Sequence, residues 1–398
     1  MLMNLLTIAV FLLMFSVLVA VHEWGHYLLA RKFNMGVSEF SIGMGPLVKT
    51  WKRKKYTLDS GEEAETEFNI RAFPLGGFVK ILGMEPKEDG SEIHEKGGFF
   101  SKGPIQRIVT LLAGPVFSIA FGWLLFLGIF TMIGMEKPIT KIGTVSINGP
   151  ADKAGVKPGD RVLKVNDVEM KDTISSIRAI RASKGEPVKL TYLHEGQTLE
   201  KIITPIMSKD ELFDMDNEGN PTDTKAHYPI LGLTYAAEYK RVPIGEAVIS
   251  ATSAPILMAK AMVTNILRPK RILEESTGVI GMAVGTRMAM EQGLTGVLSL
   301  SALISISLGF MNLLPIGILD GGQIFIAVIE WLRGGKRLSI RTQAGFLYGG
   351  LAVILFFFVA VTYKDLFRFV IPGEQNVLNS RTSEFSNNAP SSNNAPVK

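Results

Sequence analysis

The residues best suited to chemistry form a short motif, HEWGH, which runs from His22 to His26. On a helix, residues four positions apart share a face, so the imidazoles of His22 and His26 can bind the same Zn²⁺. The carboxylate of Glu23 lies beside them, where it can take a proton from a water molecule that the metal polarises. The motif therefore predicts a zinc site in which His22 and His26 are ligands and Glu23 is a general base.

A catalytic zinc usually has a third protein ligand and one open position. The chain contains no cysteine and only five histidines, so this ligand has to be another histidine or a carboxylate. The other three histidines lie in stretches that we expect to be loops or to face the far side of a membrane. Asp320 is the only acidic residue between Glu291 and Glu330, and its surroundings are apolar. We expect Asp320 to be the third ligand; an interfacial aspartate at a helix end is the alternative.

Two residues that precede Asp320, in the segment NLLPIGILDGG, are candidates for substrate contact. Pro315 would break a helix and expose backbone groups. Asn312 could donate a hydrogen bond to a substrate carbonyl or to the developing oxyanion. A polar contact between two helices is an equally supported role for Asn312. The glycines at 321 and 322 permit irregular backbone, which is tolerated at membrane depth where it is buried or lines a cavity.

The composition is that of a membrane protein rather than a soluble one. Hydrophobic residues make up 47% of the chain, and the mean hydropathy is +0.24. The net charge of +5 is modest, and no basic face with interleaved aromatic residues is present. A nucleic-acid partner is therefore not expected. The lipid bilayer is the first partner that the sequence predicts.

The apolar stretches predict four transmembrane helices, since a spanning helix needs roughly 20 mostly apolar residues. They are residues 1–32, 105–135, 294–330 and 344–370. No positive charge precedes the first stretch and no small-residue cleavage pattern follows it, so we expect a span rather than a signal peptide. Basic residues follow the first span and join the last two, which is typical of the cytoplasmic side. Both termini are then expected outside, with the zinc motif on the cytoplasmic side.

Two connecting segments are predicted to contain β structure. Residues 33–104 face the cytoplasm in this topology, and residues 68–84 within them are expected to form a membrane-associated β-hairpin or loop. Residues 138–206 alternate short β-branched runs with turn signals. This pattern predicts a small β-rich domain on the extracytoplasmic side.

The other segments are expected to have little β structure. Residues 207–290 are predicted to be a linker, with a loop over 208–227. Within it, residues 244–267 are expected to form an amphipathic helix in the membrane interface, and a true crossing is the alternative. The tail, residues 371–398, is rich in Ser, Asn and Pro and is expected to be disordered.

The chain resembles the site-2 protease family, in its bacterial form with a single PDZ domain. HEWGH, RAFPLGGFVKILGM, FFSKGPIQRIVTLLAGP, the β-rich insertion and NLLPIGILDGG follow one another in the family's order. The resemblance implies one Zn²⁺ per chain, held by His22, His26 and Asp320, with Glu23 as the base. Three positions depart from the family's usual residues: Ser118 stands where asparagine is usual, and Gly317 and Val279 stand where proline is usual.

The family resemblance also implies a substrate class and a location. Members cleave peptide bonds within transmembrane segments of single-pass membrane proteins that another protease has already trimmed. Their substrates include anti-sigma factors and signal-peptide remnants. The expected location is the bacterial cytoplasmic membrane, with the active site on the cytoplasmic side.

The β-rich insertion resembles a PDZ domain in the stretch NGPADKAGVKPGDRVLKVNDVEM. PDZ domains can bind an extended C-terminal peptide by β-augmentation. A filter that excludes bulky ectodomains and a purely structural spacer are the alternatives. The predicted fold class is therefore an α-helical polytopic membrane protein with four transmembrane helices and an inserted β-rich PDZ domain.

Substrate binding requires an unwound peptide, because the carbonyl of a helical peptide bond is hydrogen-bonded and shielded. Residues 68–81 could supply an edge strand that pairs with the extended substrate. Gly76 and Gly77 would permit close backbone approach, and Phe78 follows them. We expect these three residues to contact substrate; an ordinary membrane-associated hairpin is the alternative.

Two other functions would make the His-Glu-His-Asp set a coincidence. One is a catalytically silent membrane scaffold that binds partners through its PDZ domain, against which the intact Glu23 argues. The other is a transporter with polar groups along a pathway. No inverted repeat relates the two halves of the chain, which disfavours the transporter.

Overall fold

The computed structural model describes residues 2–58, 61–84, 97–208, 211–215, 221–266 and 278–367. The chain divides into two compact units. The first combines Met1–Ile129 with Val248–Lys398, and the second is the insertion Phe130–Ala247. The expected disordered tail lies outside the described residues.

The first unit is mainly helical. In chain order, the α-helices of the described residues are α1 (Leu2–Lys32), α2 (Pro104–Met132), α3 (Pro150–Lys153), α4 (Thr173–Ala182), α5 (Ile244–Ile266), α6 (Val279–Glu291), α7 (Gly293–Asn312), α8 (Asp320–Leu332) and α9 (Ile340–Asp365). The long ones are apolar around most of their circumference, as expected where lipid surrounds a helix and every backbone group has to be paired internally. A short 3₁₀-helix, Phe99–Ser101, precedes α2.

Five helices of the described residues are long and apolar enough to cross a membrane, judged by length and composition: α1, α2, α5, α7 and α9. Four of them correspond to the predicted spans. The fifth, α5, is the segment expected to lie in the interface. In the first unit it contacts α2, where Trp123 Nε1 donates to Thr252 Oγ1 at 3.1 Å. The number of spans therefore stays a prediction.

The expected single helix over residues 294–330 is wrong. Helix α7 ends at Asn312, residues 313–319 are irregular, and α8 starts at Asp320. Pro315 explains the break, because it lacks an N–H group and its ring clashes with the preceding turn of a helix. Asp320 thus lies in the first turn of a new helix rather than at the end of a span.

Residues 33–84 form more β structure than the sequence suggested. Strand β1 (Val37–Thr57) pairs with β2 (Glu63–Ile81) in an antiparallel hairpin, and both strands bend sharply. Gly43, Gly45 and Gly76 at these bends have φ of +88°, +83° and +90°, which only glycine adopts readily.

The bends fold the hairpin into four segments. Phe40 lies between Phe68 and Val79, so residues 39–42 are paired on both sides. Residues 67–70 are also paired on both sides, with 39–42 and with the segment 47–57, whereas 63–66 pair only with 54–57. Residues 77–81 pair only with 37–42 among the described residues, so they form an edge strand. The expected edge strand over 68–81 is therefore confined to its last five residues.

The second unit is built on a six-stranded sheet. Its strands are β3 (Met135–Val145), β4 (Arg161–Val165), β5 (Val168–Glu169), β6 (Val188–His194), β7 (Gln197–Ile203) and β12 (Leu233–Lys240). They are ordered β12-β3-β4-β6-β7, and β5 pairs with β4. Alternate residues of the sheet, such as Val162 and Leu190, form the buried core with Ile180 of α4.

The β-rich unit extends beyond its expected end at residue 206. The short strands β8 (Ile206–Met207), β9 (Leu212–Met215), β10 (Pro221–Ala226) and β11 (Pro229–Ile230) form two further antiparallel pairs, β9 with β10 and β8 with β11. The loop expected over 208–227 is thus wrong for its described residues. Strand β12 then pairs with β3 from Leu233 to Lys240, so the insertion includes a segment predicted to be a linker.

Helices α1 and α2 cross at close range. A Cβ atom on Gly25 would lie 2.4 Å from the carbonyl oxygen of Ala113, so only glycine fits there. Small residues at helix crossings allow this approach in membranes, where packing rather than the hydrophobic effect holds helices together. The crossing brings the HEWGH motif against the middle of α2.

Substituting Gly25→Ala is expected to destabilise the protein by about 1–3 kcal/mol, the usual cost of overpacking. The measurement is thermal unfolding of the purified full chain in detergent. The matched control is Gly285→Ala on α6, where a Cβ atom meets nothing within 4 Å. Equal melting temperatures for the two variants would contradict the close crossing.

Candidate metal centre

The structure brings together the three side chains predicted to bind zinc. His22 and His26 lie one turn apart on α1, with their Nε2 atoms 3.2 Å from each other. Asp320 Oδ2 lies 3.0 Å from the Nε2 atom of His22 and 3.3 Å from that of His26. Both histidines are buried, and the side chain of Asp320 is 19% exposed. Among the described residues, one group of three or more His, Asp or Glu side chains is close enough to hold a metal ion, and it consists of these three.

The spacing of these atoms fits a tetrahedral zinc site. Zinc binds imidazole nitrogen and carboxylate oxygen at about 2.0–2.2 Å, so two ligand atoms at a tetrahedral angle are about 3.3–3.5 Å apart. The distances between the three ligand atoms, 3.0–3.3 Å, need only small adjustments to match. Two imidazoles and one carboxylate also leave the open fourth position of a catalytic site.

Helix α2 holds the other ring nitrogen of each histidine. His26 Nδ1 lies 2.9 Å from the backbone oxygen of Thr110, and His22 Nδ1 lies 2.9 Å from Ser118 Oγ. Because a backbone carbonyl only accepts, Nδ1 of His26 donates and its Nε2 is free to bind metal. Ser118 Oγ can accept from His22 in the same way. The two rings are therefore oriented with Nε2 toward Asp320.

Gly114 on α2 lies directly against the ligand atoms. A Cβ atom there would be 2.2 Å from His26 Nε2 and 2.8 Å from His22 Nε2. Gly114 belongs to the stretch FFSKGPIQRIVTLLAGP, and nothing in that stretch alone marks it as a neighbour of the metal ligands. Its role depends on which helix faces it, and a single sequence does not contain that information.

Glu23 is directed toward the edge strand of the hairpin. The backbone N–H of Val79 donates to its carboxylate. A Cβ atom on Gly77 would lie 3.8 Å from Glu23 Cγ and 3.3 Å from Val19 Cγ1. The predicted base is thus placed between the metal ligands and the edge strand 77–81.

The other predicted site residues are placed as follows. Asn312 donates from Nδ2 to the backbone oxygen of Leu308, 3.1 Å away in its own helix. This bond is neither an interhelical contact nor a contact to the metal ligands, so the role of Asn312 stays a prediction. Pro315 is exposed in the segment that connects α7 to α8. Gly76 forms the bend that precedes the edge strand, and Phe78 lies on that strand.

A polar network supports the hairpin behind this edge. Arg71 Nε donates to Glu39 Oε1 at 3.0 Å, and its guanidinium lies over the ring of Phe78, 5.1 Å from the centroid. Burial raises the pKa of Glu39, but hydrogen bonds from Ser41, Asn69 and Arg71 outweigh burial and hold this pKa below its ordinary value. Glu39 therefore stays a carboxylate at neutral pH, and the bent hairpin keeps its ion pair.

Two histidines in an HExxH helix, with an aspartate from a distant helix, define a metallopeptidase type of site. The chain belongs to peptidase family M50, whose model matches residues 10–357. This family comprises the site-2 proteases, so the resemblance drawn from the motifs is confirmed. The expected fold class, helices fit to span a membrane plus a β-rich insertion, is also confirmed, apart from the exact number of spans.

Two relatives match nearly the whole chain. A Clostridium acetobutylicum protein named "Putative zinc metalloprotease" is 31% identical over 369 residues, which are 92% of this chain and 98% of the relative. Zinc metalloprotease RasP of Bacillus licheniformis is 25% identical over 445 residues, covering 91% of this chain and 99% of that protein. With the family match, they show that this protein is a zinc metallopeptidase and a membrane protein.

Part of the chain is similar to solved PDZ domains. The PDZ domain of an SdrC-like protein from Listeria monocytogenes is 20% identical, with a TM-score of 0.18, and covers 25% of this chain and 90% of that chain. The corresponding domain from Listeria innocua is also 20% identical, with a TM-score of 0.19, and covers 25% of this chain and 97% of that one.

Substituting Gly114→Ala is expected to abolish zinc binding, because the added methyl group would occupy the space between the two Nε2 atoms. The measurement is zinc content per chain by elemental analysis of detergent-purified protein. Gly128→Ala in the same helix is the matched control, since a Cβ atom there meets nothing within 4 Å. Equal zinc in both variants would rule out a metal bound between His22 and His26.

Proposed function

We propose that this protein hydrolyses peptide bonds within transmembrane segments of membrane proteins that have already been trimmed. The observation that carries the proposal is the position of the His22–His26–Asp320 group. Its two histidines lie on α1, a helix fit to span a membrane, next to an edge strand. A soluble peptide substrate would not require a metal site built into such a helix.

The cost of polar groups in lipid supports this function. Charged side chains in the centre of a spanning helix cost about 2.5–3.5 kcal/mol each on insertion scales, and they commonly mark functional sites. In α1 the polar residues of the motif pack against α2 and the hairpin rather than facing outward. This arrangement gives water and substrate a polar environment at the end of an apolar helix.

The edge strand offers a place for the substrate. A transmembrane helix has to unwind before its carbonyl groups can react, and the freed backbone groups then need partners. Among the described residues, 77–81 pair with a neighbouring strand on one side only, and they lie beside Glu23, to which the N–H of Val79 donates. Pairing by β-augmentation would hold an extended substrate there. Gly76, Gly77 and Phe78 would contact it.

The protein's own groups divide the catalytic work. Zinc, when bound by His22, His26 and Asp320, supplies a Lewis acid that polarises the scissile carbonyl and lowers the pKa of water. Glu23 accepts the proton of the attacking water and passes it to the amine that leaves. The N–H of Val79 orients the carboxylate of Glu23 for both transfers. Asn312 would stabilise the oxyanion only after giving up its bond to Leu308.

Several finer features belong to the same proposal. The chain holds one Zn²⁺, and its substrates are single-pass proteins such as anti-sigma factors or signal-peptide remnants. The site faces the cytoplasmic side of a bacterial membrane, and the β-rich unit lies outside it. That unit either binds a C-terminal peptide or excludes bulky ectodomains. A silent scaffold and a transporter are the alternatives, and both predict no cleavage.

The proposal is tested by Glu23→Gln in a cleavage assay with a single-pass reporter whose ectodomain has been removed. Wild type is expected to cut within the span, and Glu23→Gln is expected to lose at least about 10²-fold in rate, because the general base is gone. Both proteins should contain zinc near one atom per chain. If Glu23→Gln cleaves the reporter as fast as the wild type, or if the purified wild type contains no zinc, the proposed function is contradicted.

The edge strand is tested separately by Gly77→Ala. The added Cβ atom would lie 2.8 Å from the backbone oxygen of Ser41 and 3.3 Å from Val19, so the strand has to shift. A misplacement of about 1 Å can cost on the order of 10²-fold in rate, and we expect kcat/KM to fall by 10-fold to 100-fold. Zinc content should not change.

The matched control for the edge strand is Gly103→Ala, where a Cβ atom meets nothing within 4 Å. Gly103 precedes α2, outside the hairpin. If Gly77→Ala cleaves as fast as Gly103→Ala, the substrate does not pair with residues 77–81.

A further inference from the structure

A buried ion pair joins the far end of α8 to the start of α2. Arg107 donates from one of its terminal nitrogens to Glu330 Oε2 at 2.7 Å, and the two side chains are 4% and 0% exposed. The other oxygen of Glu330 accepts from the backbone N–H of Leu338 at 3.2 Å. The guanidinium of Arg107 also lies over the ring of Phe100, 5.5 Å from the centroid.

The position of Arg107 on α2 is informative because α2 supports both histidine ligands. Thr110 holds His26, and Ser118 holds His22. Gly114, between these two, packs against both ligand nitrogens. Arg107, Thr110, Gly114 and Ser118 are spaced at three, four and four residues, which places them along one face of the helix.

Helix α8 connects the metal ligands to Arg107, so its direction is opposite to that of α2. It starts at Asp320, beside the level of Gly114, and Glu330 lies beside Arg107 in its last turn. Ten residues of α-helix rise about 15 Å, and the seven residues from Arg107 to Gly114 rise about 10 Å. An ion pair at one end of α8 and a metal ligand at the other are thus connected by one rigid helix.

From this geometry we infer that Arg107 and Glu330 are positioning residues for Asp320. The ion pair fixes how far α8 is displaced along α2, and this displacement sets the distance from the Asp320 carboxylate to the two imidazoles. The third ligand needs such support because the irregular residues 313–319 precede it. Helix α2 then positions all three ligands. It holds His22 and His26 by direct hydrogen bonds, and it holds Asp320 through the ion pair with α8.

Stability alone is a weaker reason for this ion pair. Replacing a buried ion pair by apolar residues is often neutral or stabilising, since desolvation offsets the attraction between the charges. An ion pair does fix geometry, because the guanidinium and carboxylate meet at a defined distance and angle. If the ion pair positions Asp320, breaking it weakens zinc binding; if the ion pair is purely structural, zinc binding by the folded protein does not change.

The test is the zinc affinity of full-length Glu330→Gln and Glu330→Asp in detergent, measured by competition with a chelator of known affinity. Loss of supporting groups around metal ligands typically weakens binding 10-fold to 100-fold, and we expect about 10-fold for Glu330→Gln. The visible spectrum of the Co²⁺-loaded protein should also change, because it reports the ligand geometry. The matched control is Glu291→Gln, which removes the exposed Arg287–Glu291 pair of α6.

Thermal unfolding of the metal-free proteins separates the two roles. A lower melting temperature with unchanged zinc affinity and Co²⁺ spectrum would overturn the inference and leave the pair purely structural. If Glu330→Gln does not fold, Glu330→Asp decides, since it keeps the charge and shortens the side chain by one methylene. Weaker zinc binding by a folded Glu330→Asp variant supports the inference, and wild-type binding contradicts it.

Discussion

The close crossing of α1 and α2 is the constraint on which the rest of the site depends. Glycine at position 25 and at position 114 lets the two backbones approach until the ligand nitrogens of α1 lie against α2. At this distance, Thr110 and Ser118 reach the second nitrogen of each imidazole. A larger residue at either glycine would separate the helices and release both rings. Zinc binding by the HExxH motif is therefore a property of two helices rather than one.

The second requirement is to bring a carboxylate to this crossing without a continuous helix. The chain stops α7 at Asn312, passes through an irregular segment and starts α8 at the ligand itself. Gly321 and Gly322 make this possible, since Cβ atoms there would lie 2.4 Å and 2.2 Å from backbone carbonyl oxygens of the segment. Irregular backbone at membrane depth is tolerated where protein buries it. The break in the helix therefore lies directly before the third candidate ligand, Asp320.

The sequence predicted the ligands better than the elements that carry them. His22 and His26 are evident from a spacing of four, and Asp320 from being the only acid in a long apolar stretch. Both signals are local. Pro315 indicated a break before Asp320, but residues 294–330 were still assigned to one transmembrane helix, because membrane helices often tolerate proline. Strand β12 was missed because its sequence, LTYAAEYK, has few β-branched residues and owes its conformation to pairing with β3.

Two departures from the usual residues of the family fall at contacts that explain them. Ser118, where asparagine is usual, is fully buried and reaches His22 with its hydroxyl group, so a shorter side chain performs the hydrogen bond. Gly317, where proline is usual, lies against α9: a Cβ atom there would be 2.2 Å from the backbone oxygen of Phe346. Gly350 is the residue of α9 that contacts Gly317, and it also has to be small, because a Cβ atom on it would lie 2.5 Å from Gly317 N.

The Gly317–Gly350 contact lets α9 approach the irregular segment 313–319, which directly precedes Asp320. A proline at 317 would need α9 to move outward, and a larger residue at 350 would have the same effect. The two glycines are therefore coupled, and each is tolerable because the other is present. The position of α9 against the third ligand is thus set by a backbone contact between two residues 33 positions apart in the printed sequence. A family motif that covers only the first of them does not reveal this contact.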